Sequence, residues 1–131
     1  MKKIVFILLF LSTLSTWLWS KTIVVTNNGD SFSPNNITAT IADTIDFQLA
    51  LSHNVVEVSK TVWDANGSVS NGGFILPFGG GKLRITTIGT YYFVCEPHST
   101  FGMKGTLTIT EVGEKYVAKL SGMQEEFPIP G

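Results

Sequence analysis

The chain has 131 residues, 44% of them hydrophobic and 15% charged, with a formal net charge of −1 at pH 7. That length holds one domain of ordinary size and not two, and so even a charge balance offers no electrostatic footprint for nucleic acid. A single cysteine excludes an intrachain disulfide.

Met1-Lys2-Lys3 is a short basic segment, and Ile4 to Leu11 is an unbroken apolar run of eight, the pattern of a secretory leader. A bilayer span takes about 20 apolar residues. Extended through Trp17-Leu18-Trp19 the same stretch reads as an uncleaved anchor, but Ser12, Thr13, Ser15 and Thr16 interrupt it. The expectation is a signal peptide over residues 1–20, cleaved after Ser20, with export to the periplasm or the extracellular space and no membrane span after cleavage. Removing Lys2 and Lys3 leaves 7 basic and 10 acidic residues, a net charge of −3. In an oxidising compartment cysteines pair as disulfides, so the partnerless Cys95 asks for another explanation.

From Lys21 onward short alternating runs are separated by turn residues, with no helical periodicity before the C-terminus. Ile23 and Val25 alternate with threonine and valine before the turn cluster Asn27-Asn28-Gly29-Asp30. Ile37, Ala39 and Ile41 form a second run. Ile45, Phe47, Leu49 and Leu51 then share one face opposite Asp46, Gln48 and Ala50, which is the clearest period-2 signal in the chain. His53 to Ser59 follows directly, either across a bend or as a neighbouring strand.

Glycines and asparagines between Trp63 and Gly81 predict mostly irregular structure there. Lys82 to Thr86 alternates again, Tyr91 to Cys95 favours a strand ended by Pro97, and Thr106 to Thr110 is the last strand. Seven or eight short antiparallel strands read as an all-β, two-sheet sandwich. Its core is expected at Ile45, Phe47, Leu49, Leu83, Ile85, Leu107 and Ile109. The domain spans 21–110, and residues 111–131 form a C-terminal extension in which Glu114 to Leu120 has room for one or two helical turns.

The scarce ligand-type residues are concentrated. Cys95, His98 and Met103 are spaced C-x2-H-x4-M on the loop before the last strand, and His53 heads its own run far upstream. Each alone has an ordinary explanation, as an inert thiol, a structural imidazole or a core-filling thioether. Together they spend the single cysteine and both histidines on one motif. Thiolate and thioether favour Cu(I), imidazole serves both oxidation states, and a trigonal His2Cys plane with a weak axial Met is the blue-copper arrangement. Pro97 and Gly102 supply the bends that let one loop present three side chains to one point.

Tyr92-Phe93-Val94-Cys95-Glu96-Pro97-His98, the C-x2-H-x4-M loop, Gly105 to Ile109 and Ser52-His53-Asn54-Val55-Val56 resemble the small type 1 copper proteins of the plastocyanin and cupredoxin family. The resemblance covers roughly Thr22 to Thr110. It implies an eight-stranded Greek-key β-sandwich with one type 1 copper ion at one end, bound by His53, Cys95, His98 and Met103. It also implies that Asn54 ties the two ligand-bearing segments together by hydrogen bonding. Unlike photosynthetic plastocyanins, the chain has no obvious acidic docking cluster, its Trp63 to Gly81 region is rich in glycine, and it carries an added tail.

The function expected on these grounds is that of an exported, monomeric one-electron carrier using a Cu(I)/Cu(II) couple. It would dock a redox protein partner near His98 through apolar residues drawn from Phe74, Pro77, Phe78 and Phe101. The alternative is copper storage or delivery without electron transfer. An enzyme is not expected, because multicopper chemistry needs histidines beyond the two present.

Overall fold

The alternation of apolar and polar residues is realised as two packed β-sheets in the computed structural model, which describes residues 20–113. In chain order the strands are β1 Thr22–Asn27, β2 Phe32–Ser33, β3 Asn36–Thr40, β4 Thr44–Gln48, β5 Val55–Val58, β6 Ser70–Leu76, β7 Gly80–Leu83, β8 Gly89–Val94 and β9 Lys104–Thr110. A short helix α1, Lys60–Asp64, precedes β6, and a 3-10 helix, Glu96–Phe101, precedes β9. One sheet has the order β2-β1-β4-β7 and the other β3-β9-β8-β5-β6. The expected sandwich is therefore present, with nine strands among the described residues where eight were expected. Two-residue β2 is too short to show any alternation. The leader and the helical turns expected within Glu114 to Leu120 lie outside the described residues, save for Ser20.

The core lies between the sheets. Phe32 and Phe47 come from one sheet and Phe93 from the other, and their rings meet edge to face with centroids 6.2, 5.1 and 5.5 Å apart. That geometry lets the positive edge of one ring meet the negative face of the next. Ile45, Phe47, Ile85, Leu107 and Ile109 are buried as expected, while Leu49 and Leu83 are partly buried at the rim. Gly105 stands opposite Phe93 in the β8/β9 register. A Cβ there would collide with the Phe93 ring and the Asn35 carbonyl, so the aromatic cluster depends on its absence.

Three expectations are corrected. First, not every pair is antiparallel: β1 runs parallel to β4, and β3 runs parallel to β9. The chain leaves the first sheet after β2, crosses to the second at β3 and returns at β4, so β4 re-enters beside β1 in the same direction. Second, the Trp63 to Gly81 segment is not mainly irregular, because it contains β6, the start of β7 and the end of α1. Its strand conformation comes from pairing. β6 adds to β5 across an irregular register, and there the Glu57 carboxylate accepts from the Phe74 N–H at 3.0 Å and the Asn71 side chain at 3.0 Å. Third, Leu51 does not continue the buried face, because β4 ends at Gln48 and Leu51 is 82% exposed.

Helix α1 is too short to show helical periodicity in the sequence. Ser59 caps it by accepting from the Val62 N–H at 3.2 Å. Trp63 then anchors it to the sheet, donating from Nε1 to the Gly105 carbonyl at 3.0 Å while Lys104 lies over its ring at 4.0 Å. This packs Val62 and Trp63 against a second apolar cluster of Val56, Val58 and Val94.

Candidate metal centre

Two segments at one end of the sandwich converge. The first follows β4, where His53 donates its N–H to the Ala50 carbonyl at 3.0 Å and its own carbonyl accepts from the Gly79 N–H at 3.0 Å. These bonds fix the backbone of His53 between the loop it belongs to and the one before β7.

The second segment is the turn joining β8 to β9. Cys95 leaves the strand in extended conformation, Glu96 and Pro97 open the 3-10 helix, and Gly102 ends it in the left-handed region at φ 84°. Only a residue without Cβ takes that conformation readily. The loop closes on itself: the Cys95 N–H donates to the Met103 carbonyl at 2.9 Å, the His98 N–H to the Cys95 carbonyl at 3.2 Å, and the Met103 N–H to the His98 carbonyl at 3.2 Å. The C-x2-H-x4-M spacing is thus the length of one closed turn.

His53 and Cys95 lie 42 residues apart in sequence, yet Cys95 Sγ is 3.7 Å from His53 Nδ1. Sγ is also 3.4 Å from His98 Nδ1, and the two Nδ1 atoms are 3.2 Å apart. Cys95, Met103 and His53 are buried, whereas the His98 side chain is 23% exposed. Met103 sits in the main core cluster directly before β9. His53, Cys95 and His98 are the His, Cys, Asp or Glu group able to hold a metal ion among the described residues.

The three distances test the donor set. A first-row ion bound in a trigonal plane at about 2.0 Å by nitrogen and about 2.3 Å by sulfur, the lengths zinc shows, needs ligand separations of about 3.5–3.7 Å. The observed 3.2, 3.4 and 3.7 Å fit with small adjustment. Three lone-pair donors meeting at one buried point also repel one another unless a cation or a proton lies among them. With a thiolate and a nearby thioether the set suits copper better than a hard cation.

Burial pushes the Cys95 thiol up from its ordinary range; the Asn54 and His98 N–H groups oppose this, and the Asp30 and Glu96 charges add to it. A cation is what stabilises the thiolate at such a place. The Asn54 link implied by the family resemblance is present: Asn54 Oδ1 accepts from the Glu96 N–H at 2.8 Å and Asn54 Nδ2 donates to Glu96 Oε2 at 3.2 Å. One residue was missed. Asp30, legible only as part of a turn cluster, places Oδ1 3.6 Å from His98 Nε2. No local pattern in the sequence points to that meeting.

Of the apolar residues expected around His98, Phe78 and Pro77 are exposed and Phe101 is 78% exposed. Phe74 is instead partly buried against the core and near Tyr91.

Residues 20–110 match the family model described as copper binding proteins, plastocyanin/azurin family. The chain is 36% identical to plastocyanin of Ulva prolifera over 85 residues, covering 60% of this chain and 86% of that protein. It is 30% identical to plastocyanin of Dryopteris crassirhizoma over 93 residues, with the same coverage of 60% and 86%. Among solved structures, pseudoazurin of Methylobacterium extorquens superposes with a TM-score of 0.51 at 17% identity, covering 80% of this chain and 98% of that one. A reduced Cu(I) amicyanin variant does so at 0.51 and 24%, covering 68% and 82%. These two likenesses bear on the fold alone. The closed Cys-His-Met turn, the histidine brought to it from β4 and the match over residues 20–110 together establish that this chain belongs to the plastocyanin/azurin family of copper-binding proteins.

Proposed function

We propose that the protein is a one-electron carrier in which His53, Cys95 and His98 would hold one copper ion, with Met103 as the fourth and weakest donor. The observation that carries the reading is the convergence of two imidazole nitrogens and one sulfur within 3.2–3.7 Å at the buried end of a closed turn. Copper held there supplies a one-electron Cu(I)/Cu(II) couple.

The chain's own residues do the rest. The bonds closing the 95–103 turn, and the Asn54 bridge to Glu96, keep the donors at fixed separations, so little protein reorganisation accompanies a change of charge. The buried Cys95 and His53 exclude water from the thiolate. His98 alone of the three reaches solvent, which makes its ring edge the exit for the electron. Leu51, Phe78 and Phe101, exposed on the segments that flank it, offer an apolar surface to a redox partner. Weak redox encounters bury less than about 1,200 Å² and separate quickly. Storage or delivery fits less well, since a buried thiolate is slow to hand its ion over.

The copper-binding domain occupies residues 21–110, following a leader at 1–20 that directs export and preceding an extension at 111–131. Among the described residues no helix is long and apolar enough to cross a membrane.

Cu(II) titrated into the purified protein tests the site. One equivalent should give intense visible absorption, and Cys95→Ser should be colourless because oxygen does not reproduce the thiolate–copper bond. A colourless wild type, or a Cys95→Ser variant that stays blue, overturns the assignment.

A further inference from the structure

We infer that Asp30 is a positioning residue for His98, holding the outward edge of its ring and tuning its strength as a copper donor. This rests on the ligand reading above.

The Nδ1 atom of His98 faces Cys95 Sγ and His53 Nδ1, so Nε2 is the ring's other polar atom, and Asp30 Oδ1 lies 3.6 Å from it. That is longer than a hydrogen bond, so the carboxylate acts on the ring through its own negative charge. The placement is built into the fold. Asp30 stands in a tight turn between β1 and β2, closed by the Asn28 N–H donating to the Ser31 carbonyl at 2.9 Å. Asn27, at the start of the turn, accepts on Oδ1 from the Ala50 N–H at 2.9 Å, and the Ala50 carbonyl accepts from the His53 N–H at 3.0 Å. The turn that carries Asp30 is therefore bonded to the loop that carries His53. Glu96, the other carboxylate of this region, has Oε2 engaged by Asn54.

A carboxylate facing the far nitrogen of a ligand imidazole favours the tautomer with the proton on Nε2. It leaves the Nδ1 lone pair for the metal and makes it a stronger donor. Its charge also favours the more positive oxidation state. Asp30 thus biases the site toward Cu(II). Because the Asp30 side chain is 57% exposed, the bias weakens as salt screens it.

The test compares wild type, Asp30→Asn and Asp46→Asn. Asp46→Asn removes the same charge from the middle of β4. Cu(II) and Cu(I) affinities are measured separately by chelator competition, and the His98 ring nitrogens are followed by 15N NMR in the diamagnetic Cu(I) form. Asp30→Asn should lower the ratio of Cu(II) to Cu(I) affinity by about three- to tenfold, as expected for one charge several Å away near a surface. At 59 mV per decade for one electron that is a rise in potential of about 30–60 mV. The Nε2 resonance should move in Asp30→Asn and stay in place in Asp46→Asn. The affinity difference should shrink between 0.01 and 1 M salt, as the Debye length falls from about 30 to about 3 Å. An unmoved ratio, an equal change in Asp46→Asn, or a difference insensitive to salt overturns the inference. Those results in a protein that is blue leave the ligand assignment standing, whereas a wild type that never turns blue overturns the assignment itself.

Discussion

Asn54 and Glu96, 42 residues apart in sequence, grip each other twice: the Asn54 carbonyl oxygen takes the Glu96 backbone N–H at 2.8 Å, and the Asn54 amide gives to the Glu96 carboxylate at 3.2 Å. Each stands next to a residue of the site, so this pair sets the spacing between the two segments that form it. Asn54→Ala leaves the Glu96 N–H without its partner, at a cost of about 1–3 kcal/mol. In a domain of this size the melting temperature of the metal-free protein should fall by about 4–8 °C per kcal/mol. Calorimetry checks this, and an unchanged melting temperature would show that the bridge is dispensable.

Met103→Gln should retain copper while lowering the reduction potential, because a harder axial donor favours Cu(II). Spectroelectrochemistry gives the midpoint directly. A higher potential, or loss of the ion altogether, contradicts an axial role.

Phe47→Ala removes the ring that meets both Phe32 and Phe93. Emptying such a core site costs about 3–5 kcal/mol, measurable by urea unfolding. A loss below 1 kcal/mol would mean that the aromatic cluster does not join the two sheets.

Asp43 is buried, and its carboxylate accepts from the Thr40 N–H at 2.8 Å and the Lys21 N–H at 3.0 Å. Burial pushes its pKa up, but the backbone donors, the Thr40 hydroxyl and the Lys21 charge outweigh it and hold the pKa below the ordinary value. A depressed carboxylate stabilises the fold above its unfolded pKa of about 4, and the contribution fades as pH falls through the lower folded value. Asp43→Asn should therefore cost stability at pH 7 and flatten the decline below pH 4. Parallel denaturant curves at pH 7 and pH 3 measure both, and a difference between variant and wild type that is the same at the two pH values would refute the account.

Phe101→Glu puts a charge on the exposed apolar surface in the turn that carries His98, the exit proposed for the electron. Self-exchange between two copies of the protein, measured by NMR line broadening, should slow by about tenfold or more with the visible spectrum intact, since like charges then meet across a small interface. An unchanged rate would place the exit elsewhere.

The ligand turn was legible because it is local. Cys95, His98 and Met103 fall within one closed loop, and Pro97 and Gly102 mark its bends through conformational preferences that belong to those residues alone. The buried face of β4 and β9 was legible for a similar reason, since alternation along one strand records which side meets the core. The sequence gives no comparable record of what one segment receives from another. Gly-rich β6 and β7 become strands because β5 and β4 offer them hydrogen bonds, against their own weak preference. The parallel pairs β1/β4 and β3/β9 follow from the path between the sheets, Leu51 is exposed because β4 stops short of it, and Asp30 meets His98 only when the turn after β1 folds onto the same end of the sandwich. Local conformational preference and periodicity are written along the chain, whereas hydrogen bonds and charges shared between distant segments exist only once the two sheets have packed.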